Sequence, residues 1–452
     1  MNNQYVIVGG GPCGLVCALS LSEIGKSVLL IDKNNSIGGC HRVLRVGDEE
    51  YFTEHGPRMY SSSYVNFKNV LKLLGTRFED IYVKSHFNVQ SKSTKNFSIK
   101  EKFILFLQLV KMTFYYNKNL KYTSVKDFVK INNFSEDTRD YMDRLCRLTD
   151  GVGADKYSMF EFMNLLNQNF FYSLYQPKNP NDECLFKLWE NKLIKNKVKI
   201  MKGVECISFN ENQITLSSNE KINYEKLILC IPPKPFLKLN NKSLYPNMNI
   251  DQWVKDNSYN NVISVSFHWK DEIQLPKIWG FPKDDWGIAF IVLTDYMKVE
   301  KTSKLVISTC ITIQDKKSSI TNKTAMESDD NELIDEVFRQ LKISFPNLPK
   351  YSEAIINPTT DQDTAYATTH KQEFIDFRSS NPNIFYVGTQ NGNSAYSFTS
   401  MESAVSNALH ALIHIEPCLK NKITVEHPFE LVMFVRYILI IIIIIIGLKY
   451  NY

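Results

Sequence analysis

At 452 residues the chain exceeds one ordinary hydrophobic core and suggests two domains, interleaved along the sequence. Its composition is that of a globular protein (44% apolar, 12% aromatic, 22% charged), and its 53 basic and 48 acidic residues are interspersed to a net charge of +5. The absence of a basic block with interleaved aromatics argues against nucleic-acid binding, and nine scattered cysteines without a CxxC argue for a reducing compartment.

The first elements form a nucleotide-binding signature. Tyr5-Val6-Ile7-Val8 reads as a buried parallel strand that runs into Gly9-Gly10-Gly11-Pro12-Cys13-Gly14 and then an apolar helix. Val28–Ile31 makes a second strand with Asp32 at its tip, followed by Lys33. Gly9 allows the tight turn, Gly11 lets backbone N–H groups approach a pyrophosphate, and Gly14 lets the helix pack closely on the strand. The helix N-terminus supplies partial positive charge, and Asp32 can accept hydrogen bonds from a ribose hydroxyl. The pattern implies a bound adenine dinucleotide. Cys13 and Cys17 share a helical face, which reads as burial beside the strand rather than metal binding.

Next come Ile37-Gly38-Gly39-Cys40-His41-Arg42 and the segment Glu54-His55-Gly56-Pro57-Arg58. Residues 64–185 read mostly as helix, with apolar runs or helical spacing at Phe103–Phe114, Asp137–Leu148 and Ser158–Tyr172. Strand character returns at Lys199–Val204, Cys206–Phe209, Ile214–Leu216 and Tyr224–Ile231, the last running into Pro232-Pro233. Further β-rich runs lie at Val262–His268, Gly287–Leu293 and Leu305–Ile313. A polar loop then precedes a helix over Asn331–Ile343. Asn383–Thr389 is a strand running into a turn at Gly388, followed by a helix of small residues over Ser397–Ala408. His410 and His414 stand one turn apart, but Ala411 occupies the place of the Glu in a zinc-protease helix.

The C-terminus differs in kind. Phe429–Leu448 is a 20-residue apolar stretch with seven consecutive isoleucines, about 30 Å as a helix, which matches a bilayer core. Arg436 lies inside it, where its stem can snorkel. This predicts a single-pass tail anchor over 429–448, with the lipid bilayer as partner and the rest of the chain cytosolic. Lys420 and Lys422 on that side agree with the positive-inside bias.

Together these segments resemble the flavin-containing amine oxidase superfamily, which includes monoamine and polyamine oxidases, protoporphyrinogen oxidase and phytoene desaturases. The likeness covers most of residues 4–415 in order. It is specific at the Gly9–Asp32 fingerprint, at Ile37-Gly38-Gly39, at Val204 with Leu227–Pro233, and at Phe385–Thr389 with Ser400–Val405. The resemblance implies an α/β fold in which an FAD-binding Rossmann-like domain (1–85, 185–235, 355–420) interleaves with an α+β substrate domain (86–184, 236–354). It implies non-covalent FAD, since residues 389–400 hold no cysteine. The expected contacts are Gly9, Gly11, Pro12, Cys13, Gly14, Asp32, Lys33, Gly38, Gly39, Arg42, Val204, Gly388 and Thr389, with Gly56-Pro57-Arg58, Ser400 and Met401 nearer the ring.

Departures bear on the substrate. Cys40 replaces the usual Arg after the glycine doublet, with Arg42 as substitute. Ser400 stands where amine oxidases often place a cage aromatic, with Tyr396 and Phe398 nearby. His55 and Arg58 are expected near the flavin face. The resemblance implies hydride transfer from a small-molecule substrate, at a C–H bond beside an amine or in a C–C unit, to flavin N5. Alternatives are an isomerase similar to UDP-galactopyranose mutase and a non-catalytic membrane flavoprotein.

Overall fold

A computed structural model describes residues 3–85, 88–89, 97–115, 118–239, 244–259, 262–279, 284–299, 303–357, 366–367, 374–396 and 399–450. The first strand, Asn3–Val8, lies inside a seven-stranded sheet, parallel to Val28–Asp32 on one side and to Lys221–Leu229 on the other. Lys199–Lys202 extends the sheet beyond Val28–Asp32. Lys221–Leu229 serves two partners along its outer edge: its first half pairs antiparallel with Gln213–Leu216, and its second half parallel with Ile384–Tyr386. Segments nearly 400 residues apart in sequence thus meet in one sheet.

Parallel strands buried on both faces need unbroken apolar runs, because alternate side chains enter opposite cores. Ile7, Leu30 and Ile228 pack on one face under the helices Pro12–Glu23, Leu185–Lys195 and Met401–Ile415. Val6, Val8, Leu29 and Ile31 enter the opposite core with Phe236, Trp253 and Tyr386.

A second region contains helices Ile99–Thr113, Glu136–Asp150 and Met159–Asn169. Ser98, Ser135 and Ser158 cap them, each side chain accepting from the backbone N–H three residues on. The expected helical stretch over 64–185 is broken by a three-stranded sheet of Tyr60–Ser61, Leu174–Pro177 and Tyr82–Lys84. These strands are two to four residues long, too short to show a period of two. A four-stranded antiparallel sheet, Ile288–Val292, Leu305–Ile311, Ile263–Trp269 and Glu353–Ile356, packs on helix Asp330–Ser344.

The C-terminal helix spans Leu431–Tyr450, and Leu431–Lys449 is the one described helix long and apolar enough to cross a membrane. Its base is fastened to the second region. The backbone N–H of Val432 donates to Asn167 Oδ1 at 2.9 Å. Arg436 does not reach outward: its Nε and Nη2 donate to the carbonyls of Thr113 (2.7 Å) and Met112 (3.1 Å), and its guanidinium lies over the Tyr115 ring. Those carbonyls end helix Ile99–Thr113, where unpaired acceptors and the negative end of the helix dipole favour a cation.

Candidate cofactor and substrate site

The glycine turn is shaped by contacts that exclude a Cβ. Gly9 has φ 109° and lies against the Cys230 carbonyl, while a Cβ on Gly14 would overlap the Gly9 carbonyl. Gly11 is the N-cap of helix Pro12–Glu23 and offers no side-chain cap, and Pro12 takes the first turn. The early N–H groups therefore face the adjoining cavity. Gly38 and Gly39 fold onto this turn: the Gly38 N–H donates to the Gly10 carbonyl at 2.8 Å, and φ is 120° and 58° at the pair.

Asp32 is buried and already engaged. Its Oδ2 accepts from the Gly10 N–H at 2.7 Å, and its Oδ1 from the Asn34 N–H at 2.7 Å and Asn34 Nδ2 at 2.9 Å. A carboxylate has about four acceptor directions, so capacity for a ribose hydroxyl remains on Oδ2.

These groups border a cavity of about 650 Å³. The N-terminal turn and second strand contribute Gly9, Gly11, Pro12, Cys13, Asp32 and Lys33. Distant segments contribute Gly39, Arg42, Val204, Gly388, Thr389 and Ser400. Gly14 and Gly38 sit behind the wall as close-packing positions. Arg42 Nε and Nη1 are buried there without a hydrogen-bond partner among the described residues. Donors so placed fit an anionic group such as a pyrophosphate. Cys230 joins Cys13 and Cys17, the three sulfurs lying within 4.8 Å of one another; the Cys13 thiol also donates to the Val387 carbonyl.

A second cavity of about 910 Å³ adjoins the first. Cys40, His41, His55, Arg58, Thr399 and Ser400 line both and mark their junction. Gly56, Pro57 and Met401 border only the second cavity, as does Tyr396. Arg58 Nη2 donates to the Cys40 carbonyl at 2.5 Å, and its buried Nε has no partner among the described residues. His41 Nδ1 lies 3.2 Å from the Tyr60 hydroxyl. Burial, then the charges of Arg58 and His55, hold His41 well below the ordinary histidine range, so it is neutral near pH 7. Burial likewise lifts Glu54 to about 7, against the pull of Arg58.

Tyr396 is buried, bonded to the Ser63 hydroxyl, and meets Tyr64 edge to face at 5.6 Å. Phe398 lies outside the described residues. Ser400 is the N-cap of helix Met401–Ile415, its side chain accepting from the Ser403 N–H at 3.0 Å. The helix therefore starts at Met401, later than the expected Ser397. Sequence reasoning missed Tyr64, Cys230 and His41; only His41, beside the glycine doublet, carried a local signal.

Residues 7–75 match the family described as NAD(P)-binding Rossmann-like domain. A curated relative, the 4,4'-diaponeurosporene oxygenase of Staphylococcus haemolyticus, is 27% identical over 185 residues, covering 39% of this chain and 34% of the relative. The chain spans about a third or less of the length of the curated relatives it matches. Among solved structures, putrescine oxidase bound to putrescine aligns with TM-score 0.68 at 14% identity, covering 92% of this chain and 99% of that one. Cyclohexylamine oxidase from Brevibacterium oxydans aligns with TM-score 0.66 at 13% identity, covering 93% and 100%. The chain has the amine-oxidase fold.

Within the amine-oxidase fold of this chain, the junction is built by three separate segments. Cys40-His41 follows the glycine doublet, His55 and Arg58 follow the strand Tyr51–Glu54, and Thr399-Ser400 opens the helix Met401–Ile415. Their convergence places a helix N-terminus and the Arg58 cation where the two cavities meet, a position suited to stabilising negative charge.

Proposed function

We propose that this chain is an FAD-dependent oxidoreductase that removes hydrogen from a C–C unit of an apolar small molecule, and that Phe429–Leu448 anchors it in a membrane with the body of the chain on the cytosolic side. The carrying observation is the chemistry of the second cavity. Leucine is its commonest lining residue, no Asp or Glu is among its described lining residues, and its second arginine, Arg147, is already ion-paired with Asp143. Arg58 stands at its inner end.

A protonated amine there would be a desolvated cation without a counter-charge and beside another cation, which is costly. A sugar nucleotide would bring a diphosphate into the same apolar walls. A lipophilic substrate incurs neither cost and gains from burial. The fold neighbours named above are named for amines, whereas the curated relative is named for diaponeurosporene.

FAD, when bound, supplies the electron-accepting ring. The first cavity fits its nucleotide portion: the Gly9–Gly14 turn and Arg42 meet the pyrophosphate, and Asp32 meets the ribose. The remaining work falls to the chain. Arg58 and the N-terminus of helix Met401–Ile415 stabilise negative charge at the junction, neutral His41 adds no further cation, and the apolar walls orient the substrate and exclude water. His55 and Tyr396 border the reacting region as positioning groups.

Purified full-length chain in detergent tests this reading. It should carry about one FAD per chain, with a visible absorbance band that bleaches anaerobically on addition of an apolar polyene or porphyrinogen. Absence of flavin would refute the cofactor assignment. Bleaching by amines alone would refute the substrate class and restore the amine chemistry.

A further inference from the structure

Helix Ile99–Thr113 carries apolar side chains on both faces: Ile104, Leu105, Leu109 and Met112 pack inward, while Phe103 and Phe106 face out. A helix on a water-facing surface buries its apolar stripe and exposes its polar one. Here Glu101 and Gln108 are buried, 3% and 7% exposed, whereas Phe103 and Phe106 are more than half exposed, at 57% and 56%. Ile99 and Leu107 are exposed with them. Glu101 is inward because it caps two helices, accepting from the Ser98 N–H at 2.7 Å and the Ser135 N–H at 2.6 Å. The turned-out apolar face is therefore fixed by the polar bonds on its other side.

This face continues onto the base of the C-terminal helix. Phe171 meets Phe429 at 5.5 Å and Phe434 at 5.4 Å, and all three rings are exposed. Arg436 ties the two helices together through the Thr113 and Met112 carbonyls. Lys100, Lys102 and Lys111, all exposed on the same short helix, suit the headgroup layer above an apolar face. An apolar surface of this kind marks an interaction site, and its continuity with a helix of bilayer length selects lipid as the occupant.

The mouth of the second cavity lies in the same patch. Phe106, Leu166 and Phe170 line the cavity and are also exposed, at 56%, 44% and 64%, and Leu431 of the C-terminal helix completes the rim. We infer that helix Ile99–Thr113 and the Phe170–Phe171 corner are immersed in the bilayer, and that the substrate cavity opens laterally into the hydrocarbon, taking its substrate from lipid rather than from water. This depends on the anchor reading above and adds a second membrane contact and an entry route.

The test uses the full-length protein in phosphatidylcholine nanodiscs containing a phospholipid with an acyl-chain diazirine. After irradiation, peptides are mapped by mass spectrometry. Labels on peptides covering 99–115 and 166–174, in addition to 429–450, support the inference. Labels confined to 429–450 overturn it while leaving the anchor intact, and no labels at all overturn both. In the variant Phe103→Glu/Leu107→Glu, outside the cavity lining, labelling of 99–115 should fall at least several-fold with the flavin band retained. Unchanged labelling in that variant would also overturn the inference.

Discussion

Glu402 holds Asn66 by both backbone and side chain, its Oε1 accepting from the Asn66 N–H at 2.9 Å and from Nδ2 at 2.7 Å. Its Oε2 accepts from the Phe67 N–H at 2.9 Å. Tyr64, the N-cap of helix Val65–Leu73, makes no side-chain cap bond, so a carboxylate 336 residues away in sequence takes that role. The helix that opens at the cavity junction is thereby locked to the one behind it. Asn66 also bonds both ways with the backbone of Glu426, reaching the segment before the C-terminal helix.

A pH dependence follows from that burial. Desolvation lifts Glu402 to about 7, above the ordinary 4.5, although the bonds from Phe67 and Asn66 pull the other way. A carboxyl whose folded value is raised contributes stability that is complete below its unfolded value and is lost as pH rises through the folded one. Unfolding temperature should therefore fall between pH 5 and pH 8, with a share of up to about 3 kcal/mol from this group. Glu54 and Asp284, also lifted to about 7 by burial, act in the same direction. In Glu402→Gln the amide NH2 faces the Phe67 N–H, so the variant should be less stable at pH 5 with a shallower pH slope. Thermal unfolding across that range checks both; a slope equal to wild type would refute the assignment.

Gly14→Ala should abolish FAD incorporation. The added Cβ would overlap the Gly9 carbonyl, so the helix must lift from the strand and carry its N-terminal N–H groups away from the pyrophosphate position. Secondary structure should persist by circular dichroism while the visible flavin band is lost. Full flavin occupancy in this variant would show that the turn does not hold the cofactor.

Such local motifs were the legible part of the chain. A tight turn, a parallel strand and a 20-residue apolar stretch each carry their physics within a short window, so Gly9–Asp32 and Phe429–Leu448 were recognisable alone. Partnerships across the chain had no such window. Nothing near Glu402 points to Asn66, and nothing near Cys13 points to Cys230. The run Phe103–Phe114 is visibly apolar, yet which side faces out was decided by Glu101 reaching Ser135. Gly56 and Pro57 border the second cavity, between His55 and Arg58 that line both.

Arg42→Ala should weaken FAD binding without unfolding the chain. Its buried Nε and Nη1 make no protein hydrogen bond among the described residues, so their removal breaks no described contact of those atoms. It deletes a charge-assisted interaction with the pyrophosphate, worth about 1.5–3 kcal/mol, or about tenfold to a hundredfold in affinity. Titration of the apo-protein with FAD measures this. Arg42→Lys should recover part of the loss, because it restores charge but not the planar fork. Wild-type affinity in Arg42→Ala would leave the replacement of the usual Arg at Cys40 uncompensated.

Leu109→Trp separates the two cavities. Leu109 is half-buried on helix Ile99–Thr113 and lines only the second cavity. An indole there occupies space needed by a long apolar substrate while leaving the nucleotide contacts untouched. FAD content and dithionite reduction should match wild type, and kcat/KM for the bleaching substrate should fall at least about tenfold, the equivalent of 1.4 kcal/mol. A smaller apolar substrate should be affected less, since it can bind nearer the Arg58 junction. Equal losses for short and long substrates would mean that the walls serve packing alone, and that the substrate reaches the junction by another route.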